Sequence, residues 1–497
     1  MLNPTGAPAV AEIQTIEDAR QSAQKETAPA WMDELRTLIA SGQIHEDFDS
    51  RVTHSRDRLP FGRFRSRSEQ LTGTLPSVVV EPKSIPEVQQ VVRLAGRENI
   101  SVIPYGSGSG VLGGTVPFAG EMILSCRHMN TIQVIDETNR IARADAGTNG
   151  LVLENTLREK GYTCGHYPQS LSMSTVGGWA ACRGAGQASS RYGNIENLIV
   201  GMKVVLPDGE LLEVRHAPRR SVGPSILEMF IGSEGVLGVI VEVTLRIWRL
   251  PEQEIDTVMA FPDLEHGLAA IRDIMQAELR PALARLYDEA ESIKWGLEAP
   301  PGGVIPVITM LSFAGLYGVA EAEAEAAMKI CEAHGGKISD REPMTQWQAK
   351  RFESHSDAFV DAGGYYETIE VAAPWSTVGA MYEQMKAAVN ERHPVVQLSA
   401  HWSHAYSDGS CMYLTCKIPA MADDEALPIH ADVWEIIMRI CLDTGGTISH
   451  HHGIGCFRNR WIAEELNHGH RVLEGLKRAL DPALLFNAGK LGLKAEN

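Results

Sequence analysis

The stretch that decides the fold comprises residues 76–114 and reads PSVVVEPKSIPEVQQVVRLAGRENISVIPYGSGSGVLGG. Three consecutive valines at 78–80 predict a short buried strand. The following helix begins at a capping box formed by Ser84 and Glu87, and its apolar residues recur at the spacing of one helix face. A second strand is predicted at 102–104, so a β-α-β unit leads into a glycine-rich loop.

The loop at 106–114 contains five glycines in nine residues, which a plain tight turn does not explain. Its Gly108-x-Gly110-x-x-Gly113 spacing formally matches the dinucleotide fingerprint, but that fingerprint must open a helix. Residues 115–117 (Thr-Val-Pro) show no helical periodicity, so we reject a Rossmann fold. The bare backbone N–H groups of such a loop can still bind a pyrophosphate.

Two predicted hairpins follow the loop, and the sequence pattern then changes from strand-rich to a mixture of helices and strands. Apolar runs flank the turn residues 136–139 and again 207–209, which predicts two β-hairpins. Residues 235–248 (GVLGVIVEVTLRIW) form a long strand-rich run. From Pro251 onwards helices, including the Ala- and Glu-rich segment 320–332, alternate with short strands, which indicates a separate α+β domain.

Composition limits the class of protein. With 497 residues the chain is too long for one core, so we expect two or more domains. Its 44% hydrophobic and 22% charged residues are typical of a globular protein. The formal net charge of -18 argues against a nucleic-acid partner, but it does not exclude an anionic substrate, because one arginine can dominate a pocket.

The cysteines and the N-terminal residues indicate the compartment. Eight cysteines are scattered without a Cys-x-x-Cys pair, which favours neither a disulfide framework nor a zinc ribbon. The N-terminal sequence has no basic region followed by an apolar core, and no run of 18 apolar residues occurs. We therefore expect a cytoplasmic protein without a signal peptide or a membrane span.

Residues 51–68 form a basic, arginine-rich stretch that reads RVTHSRDRLPFGRFRSRS. We interpret this stretch as a solvated loop rather than as part of a site. The segment before it, WMDELRTLI at 31–39, predicts a short amphipathic helix.

Three further segments, at 172–179, 183–194 and 232–238, combine glycines with polar or charged side chains. Each segment gives a ligand access to the backbone and offers hydrogen-bond donors. Together with the glycine loop, these segments suit an extended dinucleotide.

These segments resemble the vanillyl-alcohol-oxidase/p-cresol-methylhydroxylase family of FAD flavoenzymes. The matching pieces occur in order between residues 76 and 250 and read PSVVVEPKSIPEVQQVV, IPYGSGSG, STVGGW, RYGNIENLIVG and GSEGVLGVI. The resemblance implies an α+β fold in which a PCMH-type FAD-binding domain of two α/β subdomains carries a cap of antiparallel sheet and helices. We predict an N-terminal helical arm (1–72), the FAD-binding domain (73–251), the cap (252–430) and a C-terminal segment that returns to the flavin (431–497).

The resemblance also implies which residues hold FAD. Some family members tether the flavin through a histidine of the glycine loop, but no histidine occurs at 104–114, so we predict non-covalent FAD. The predicted FAD-binding residues are Pro104, Tyr105, Gly106, Ser107, Gly108, Ser109, Gly110, Ser170, Ser174, Thr175, Gly177, Gly178, Arg183, Gly186, Glu234, Gly235, Val236, Leu237, Gly238 and Ile240.

The C-terminal half resembles most the alkyldihydroxyacetonephosphate synthase branch of this family. Matching text occurs at residues 165–168, 285–286, 367–375, 406–409 and 449–455. In that branch the flavin is a covalent scaffold for the substrate. The resemblance implies that Tyr406 removes a substrate proton with the help of a histidine, and that Arg285 supports the flavin site.

The chemistry of these residue types agrees with such roles. Tyrosine, with an unperturbed pKa of about 10, is a poor base unless neighbouring cations lower its pKa. An imidazolium or an arginine would do so. The predicted catalytic residues are Tyr406, His451, His452 and Arg285, and the predicted substrate contacts are His166, Arg351, Glu370 and His450, of which we expect His450 to be mainly structural.

The three consecutive histidines at 450–452, followed by Gly-x-Gly, suggest proton transfer or metal binding. The 2-hydroxyacid dehydrogenase branch of the family binds a divalent metal through two histidines and a glutamate. Ala405 and Met412 stand at those two histidine positions here, and a histidine replaces the glutamate. We therefore predict no metal site, and hydrogen-bonding roles for His401 and His404.

One departure concerns the substrate phosphate of the synthase branch. Ser356 stands where that branch has a phosphate-binding arginine, with Lys350 and Arg351 one or two helical turns away. We therefore predict an FAD-dependent oxidoreductase that oxidises a small alcohol or another hydroxylated organic molecule. The alternatives are a non-redox transferase of the ether-lipid type, a metal-dependent D-2-hydroxyacid dehydrogenase and a flavin-fold protein without catalysis. We expect a small-molecule substrate and a homo-oligomer, in the first place a dimer.

Overall fold

The computed structural model describes residues 14–299, 301, 303–353 and 357–493. Two small sheets are formed by the chain up to residue 246, and one seven-stranded antiparallel sheet follows them. Helices cover these sheets, so the predicted α+β class is confirmed. Among the described residues no helix is long and apolar enough to cross a membrane.

The N-terminal arm is mostly helical. Its elements are α1 (Ile16–Ala23), α2 (Trp31–Leu38), β1 (Ile44–His45), α3 (Phe48–Thr53) and α4 (Pro60–Arg67). The interpretation of residues 51–68 as a solvated loop is wrong, because α4 buries Phe61 and Phe64 together with Arg65, whereas Arg67 stays exposed. Arg51 is also buried, and its Nε donates to the carbonyl of Pro76 over 2.7 Å.

The first sheet contains the predicted β-α-β unit. Its elements are β2 (Val78–Val80), α5 (Ile85–Arg97), β3 (Val102–Tyr105) and β4 (Met122–Ser125). The hydroxyl of Ser84 accepts the N–H of Glu87, which confirms the N-cap. The strand order is β1-β2-β4-β3, so β4 lies parallel between the two strands of the unit. No helix or strand forms from residue 106 to residue 121, in agreement with the rejection of a Rossmann loop.

The second sheet is antiparallel and has the order β5-β6-β10-β8-β9. Both predicted hairpins are present, as the pairs β5–β6 and β8–β9. The elements of this region are β5 (Ile132–Asp136), β6 (Ile141–Asp145), α6 (Gly150–Glu159), β7 (Tyr162–Thr163), α7 (Val176–Cys182), α8 (Ser189–Tyr192), α9 (Ile195–Leu198), β8 (Ile199–Val205), β9 (Leu211–Val214), α10 (Ile226–Phe230), β10 (Val239–Arg246) and β11 (Trp248–Arg249), which pairs with β7.

The third sheet has the order β15-β12-β14-β13-β17-β18-β16 and is antiparallel throughout. Its strands are β12 (Gln253–Phe261), β13 (Leu283–Tyr287), β14 (Val307–Gly315), β15 (Lys337–Ile338), β16 (Tyr365–Pro374), β17 (Gln397–Ala405) and β18 (Gly409–Ile418). The helices between them are α11 (Leu264–Gln276), α12 (Glu289–Lys294), α13 (Val319–Ala333), α14 (Glu342–Lys350), α15 (Asp357–Asp361) and α16 (Val378–Arg392).

The chain ends in three helices, α17 (Asp423–Asp443), α18 (Asn459–Leu466) and α19 (His468–Leu480). The predicted boundary after residue 430 falls inside α17. This helix buries Trp434, Met438 and Cys441 in the same apolar core as the seven-stranded sheet. The histidine triplet lies in the loop between α17 and α18, beyond that core.

Candidate active site

A cavity of 510 Å³ lies where all parts of the fold meet. One wall is the glycine loop at 106–110, and another is formed by side chains of β13, β17 and β18. The C-terminal segment (431–497), called the C-terminal return below, contributes His451, His452 and Gly455. The volume is within the range of small-molecule sites.

A second cavity of 490 Å³ lies on the other side of the glycine loop. Four residues line both cavities: Gly106, Ser107, Met173 and Thr175. The two cavities therefore form a bipartite site of the kind that an extended dinucleotide requires.

The glycine loop can form a wall because it has almost no side chains. Gly108 has φ +63°, and a Cβ there would lie 2.2 Å from the Tyr105 hydroxyl. A Cβ at Gly106 would lie 2.4 Å from Oγ1 of Thr175. Only glycine fits these positions, and a ligand can then approach the backbone N–H groups.

Two features of the walls fit FAD. The first is this glycine cradle. The second is His166, which is 1% exposed and lines the larger cavity, while neither of its ring nitrogens has a hydrogen-bond partner in the protein. A buried imidazole without a partner is costly, so a bound polar ligand is the natural partner. Burial, reinforced by His451, lowers the pKa of His166 to about 3.

The predicted FAD-binding residues fall into two groups. The larger cavity is lined by Gly106, Ser107, Gly108, Ser109, Gly110, Ser170, Ser174, Thr175, Gly178 and Glu234, and the second cavity by Tyr105. The others, Pro104, Gly177, Arg183, Gly186, Gly235, Val236, Leu237, Gly238 and Ile240, line neither cavity. Some of these shape the scaffold: Gly177 donates its N–H to Ala146, and the carbonyl of Val236 accepts from Lys477.

The C-terminal return is tied to the FAD-binding region by Glu234. This half-buried carboxylate accepts the backbone N–H groups of Ile454 and Gly455. Asn487 donates to the carbonyls of Gly114 and Glu234 over 2.9 and 2.6 Å. These bonds hold the histidine segment beside the glycine loop.

Glu370 organises the same segment from the side of the sheet. Its side chain is fully buried, and its carboxylate accepts the backbone N–H groups of His450 and His452 over 2.5 and 2.8 Å. Oε1 also pairs with Arg458. Burial by itself raises the pKa of Glu370, but Arg458 and the histidines hold it well below its ordinary value. Glu370, which we predicted to contact the substrate, therefore lies behind the cavity wall and supports it.

The cavity wall carries five histidines, at positions 166, 401, 404, 451 and 452. Burial is the largest cause that lowers their pKa values, to about 3 for His451 and about 4 for His452. The rings are therefore neutral at neutral pH, each with one donor and one acceptor nitrogen. His404 also has φ +54° and shares a 2.6 Å hydrogen bond with the Ser189 hydroxyl.

Tyr406 and His450 do not line either cavity. The Tyr406 hydroxyl lies 2.6 Å from Nε2 of His450 and accepts from Asn194 over 2.7 Å. Burial raises the pKa of Tyr406 above its ordinary value, with no lowering by a cation of the kind we expected from the sequence. Three other tyrosines line the larger cavity, Tyr287, Tyr366 and Tyr413, and the hydroxyl of Tyr413 lies 3.2 Å from Nε2 of His452.

The side chains of Cys411, His450 and His451 lie close together at the wall of the larger cavity. The sulfur of Cys411 and one ring nitrogen each of His450 and His451 lie within 4.8 Å of one another, a spacing that a metal ion could bridge. The Nδ1 atoms of the two histidines, however, share a hydrogen bond of 2.9 Å. Burial raises the pKa of the Cys411 thiol well above its ordinary value. In this arrangement the thiol is neutral and the two rings bond to each other, and the absence of a metal site stays a prediction.

Four arginines line the larger cavity, and two of them, Arg285 and Arg351, lie against aromatic rings. Arg285 donates through Nε to the hydroxyl of Tyr287 over 2.9 Å and lies over the ring of Trp347. Arg351 lies over Tyr167 and over the same tryptophan. Within the described part of the chain neither arginine pairs with an acidic side chain. Ser356, the position that separates this chain from the synthase branch, lies outside the described residues.

Sequence reasoning did not assign several wall residues. Asp57, Arg58 and Arg63 line the larger cavity, and His54 and Arg127 line the second one. The concentration of arginines in the basic stretch was a signal for the first three. Burial raises the pKa of Asp57 to about 6. No pattern in the sequence pointed to Tyr413 or Arg127, because the fold alone brings them to the site.

Comparison with known families agrees with this geometry. The model of an FAD binding domain matches residues 76–215, and the model of the C-terminal domain of FAD linked oxidases matches residues 250–491. Among curated proteins, the uncharacterized FAD-linked oxidoreductase YgcU of Escherichia coli (strain K12) is 30% identical over 93% of this chain and 98% of its own length.

Two other relatives have named activities. Alkyldihydroxyacetonephosphate synthase of Dictyostelium discoideum is 26% identical over 94% of this chain and 82% of its own length. D-2-hydroxyglutarate dehydrogenase of Stutzerimonas stutzeri (strain A1501) is 27% identical over 94% of this chain and 99% of its own length.

Solved structures share the fold. Alkyldihydroxyacetonephosphate synthase superposes with a TM-score of 0.78 at 23% identity, covering 93% of this chain and 85% of the other. Substrate-bound p-cresol methylhydroxylase superposes with a TM-score of 0.75 at 14% identity, covering 95% and 99%. The chain belongs to the FAD-linked oxidoreductases, enzymes that bind FAD in a PCMH-type domain followed by an FAD-linked oxidase C-terminal domain.

Proposed function

We propose that this enzyme oxidises a small hydroxylated carboxylic acid with bound FAD as the electron acceptor. The observation that supports this most is the presence of Arg285 and Arg351 on the cavity wall without acidic partners among the described residues. A guanidinium fork matches a carboxylate and holds it in a fixed orientation. The aromatic rings against which both arginines stack limit the movement of these two groups.

FAD supplies a two-electron acceptor when it is bound. The glycine loop, the hydroxyl side chains of Ser174 and Thr175 and the unpartnered ring of His166 would hold it. The arginines orient the acid, and the neutral ring of His451 takes the proton of the substrate hydroxyl. The lining aromatic residues exclude water from the reacting carbon.

The relatives divide between oxidation and transfer. D-2-hydroxyglutarate dehydrogenase and glycolate oxidase, by their names, act on hydroxy acids, whereas the synthase relatives make alkyldihydroxyacetonephosphate. An ether-lipid substrate would bring a phosphate dianion and a long alkyl chain. The same arginines could bind a phosphate, so this transferase is the second candidate and the experiment must separate the two.

Anaerobic mixing of the FAD-loaded enzyme with a substrate panel tests the proposal. D-2-hydroxyglutarate and glycolate are the anionic probes, and ethylene glycol is the matched neutral control because it is glycolate without the carboxylate. We expect a hydroxy acid to bleach the flavin and ethylene glycol, at the same concentration, to bleach it far more slowly. Formation of an alkyl ether from acyl-dihydroxyacetone phosphate and a long-chain alcohol, with the flavin still oxidised, would favour the transferase instead.

A further inference from the structure

A chain of hydrogen bonds runs from the wall of the larger cavity to the hydroxyl of Tyr406. His451 lines the cavity, and its Nδ1 lies 2.9 Å from Nδ1 of His450. Nε2 of His450 lies 2.6 Å from the hydroxyl of Tyr406. Tyr406 is half-buried at the turn between β17 and β18, and the next two residues, Ser407 and Asp408, are exposed. The bonds therefore lead from the cavity wall to a half-buried tyrosine that precedes an exposed turn.

A proton that His451 takes up from the substrate has to be passed on to another group. Burial, with a contribution from the neighbouring His452, lowers the pKa of His451 to about 3, so the imidazolium is unstable at neutral pH. Burial likewise lowers the pKa of His450 to about 3. Both rings are neutral, and a neutral imidazole can accept a proton on one nitrogen while it donates from the other.

We propose that His450 and Tyr406 form a proton relay that carries the substrate proton from His451 to the surface. This relay rests on the proposed oxidation. As the alcohol carbon becomes a carbonyl, its hydrogen leaves as hydride to FAD with two electrons, and the hydroxyl proton goes to Nε2 of His451. Nδ1 of His451 then passes its proton to Nδ1 of His450, and Nε2 of His450 passes one to Tyr406. The phenol releases its own proton to water.

The groups next to Tyr406 and His450 support proton transfer from His450 to Tyr406. Asn194 donates to the phenol oxygen over 2.7 Å, so it holds the ring in place while the phenolic proton remains available to another acceptor. Glu370 fixes the backbone of His450 through a hydrogen bond of 2.5 Å. His450 and Tyr406 line neither cavity, so they act through His451 and do not touch the substrate.

The experiment needs no alcohol, so it separates the relay from the proposed function: reoxidation of reduced flavin frees the flavin's own proton in the cavity, and the relay would carry that proton out through His451 as well. The FAD-loaded enzyme is photoreduced anaerobically and mixed with ferricenium, which accepts electrons but no protons, in weak buffer that contains phenol red. Flavin absorbance reports the electrons and the dye reports protons that reach bulk water. The variants are Tyr406→Phe and His450→Ala, with Tyr162→Phe as the control because its phenol bonds to Glu137 away from both cavities.

We expect wild type and Tyr162→Phe to release protons together with flavin reoxidation. Proton release in Tyr406→Phe and His450→Ala should be slower by about tenfold or more, and added imidazole should restore it in His450→Ala. Unchanged proton release in both variants would overturn the relay. If a variant loses FAD, ¹⁵N-histidine spectra of the resting protein decide: Tyr406→Phe must shift the His450 ring signals, and unshifted signals would also overturn it.

Discussion

Glu370 and Arg458 form an ion pair in which Oε1 lies 2.8 Å from Nη1 and neither side chain has any exposed surface. The same carboxylate accepts the backbone N–H groups of His450 and His452. Arg458 fixes the carboxylate, and the carboxylate fixes the histidine segment. The orientation of the histidines on the cavity wall thus depends on a charge pair that touches no substrate.

Substitution Glu370→Gln should destabilise the protein, because it leaves the buried Arg458 guanidinium without a countercharge. Removing one partner of a buried pair costs about 3–5 kcal/mol of the free energy of unfolding. Urea unfolding measures this loss. The control is Glu464→Gln, which removes the exposed partner of Arg439 and should lower the free energy of unfolding far less. Equal losses in the two variants would contradict the role of the buried pair.

Stability should fall as the pH decreases below about 6.5, the pKa of an unperturbed histidine. Burial lowers the pKa of His166 to about 3 and that of His452 to about 4. The folded protein therefore stays unprotonated at these rings while the unfolded chain binds protons, so stability is present above about 6.5 and is lost towards pH 4. Urea midpoints across this range measure the loss. His166→Phe should reduce the slope, and the exposed His468→Asn should not.

Gly108→Ala should weaken FAD binding by about tenfold or more, because the new Cβ would lie 2.2 Å from the Tyr105 hydroxyl inside the glycine wall. Quenching of flavin fluorescence measures the Kd. Gly161→Ala is the matched control, since Gly161 also has a positive φ, +79°, but nothing lies within 4 Å of its Cβ. We also expect acid precipitation to release all the flavin; flavin that stays with the pellet would contradict non-covalent binding.

Arg285→Met and Arg351→Met should each raise the KM for a hydroxy acid about 10- to 100-fold, which corresponds to the loss of one charged hydrogen bond. The KM for a neutral alcohol should change little, because it makes no ion pair with these groups. Steady-state kinetics with the two substrate types measures the difference. Arg249→Met, at an exposed position, is the control. Equal effects on both substrate types would exclude carboxylate recognition by these arginines.

The sequence was informative where local rules act. The capping box at Ser84, the turn residues at 136–139 and 207–209 and the spacing of the valines in α5 define elements that the structure contains. The predicted glycine loop also lies at the site, because five glycines in nine residues have few other uses.

Tertiary packing determines which side chains reach the cavity or become buried where local sequence patterns do not. Tyr406 and Tyr413 are only seven residues apart, and no local pattern tells which of them reaches the cavity. The β-bulge between Ser403 and Ala405 changes the register of β17 against β18 just before Tyr406. Two arginines of residues 51–68 are buried: Arg51 on α3, and Arg65 on α4, whose Phe61 and Phe64 lie in the core. Polar composition alone suggested a loop there.

The central claim is that this enzyme removes hydride from the carbon of a hydroxy acid. The most direct measurement is the anaerobic rate of flavin bleaching by glycolate and by D-2-hydroxyglutarate, each compared with its form deuterated at the alcohol carbon. The account predicts that at least one acid bleaches the flavin and that deuterium slows the bleaching several-fold. The claim is contradicted if the flavin stays oxidised with both acids and the enzyme forms an ether from acyl-dihydroxyacetone phosphate and a long-chain alcohol.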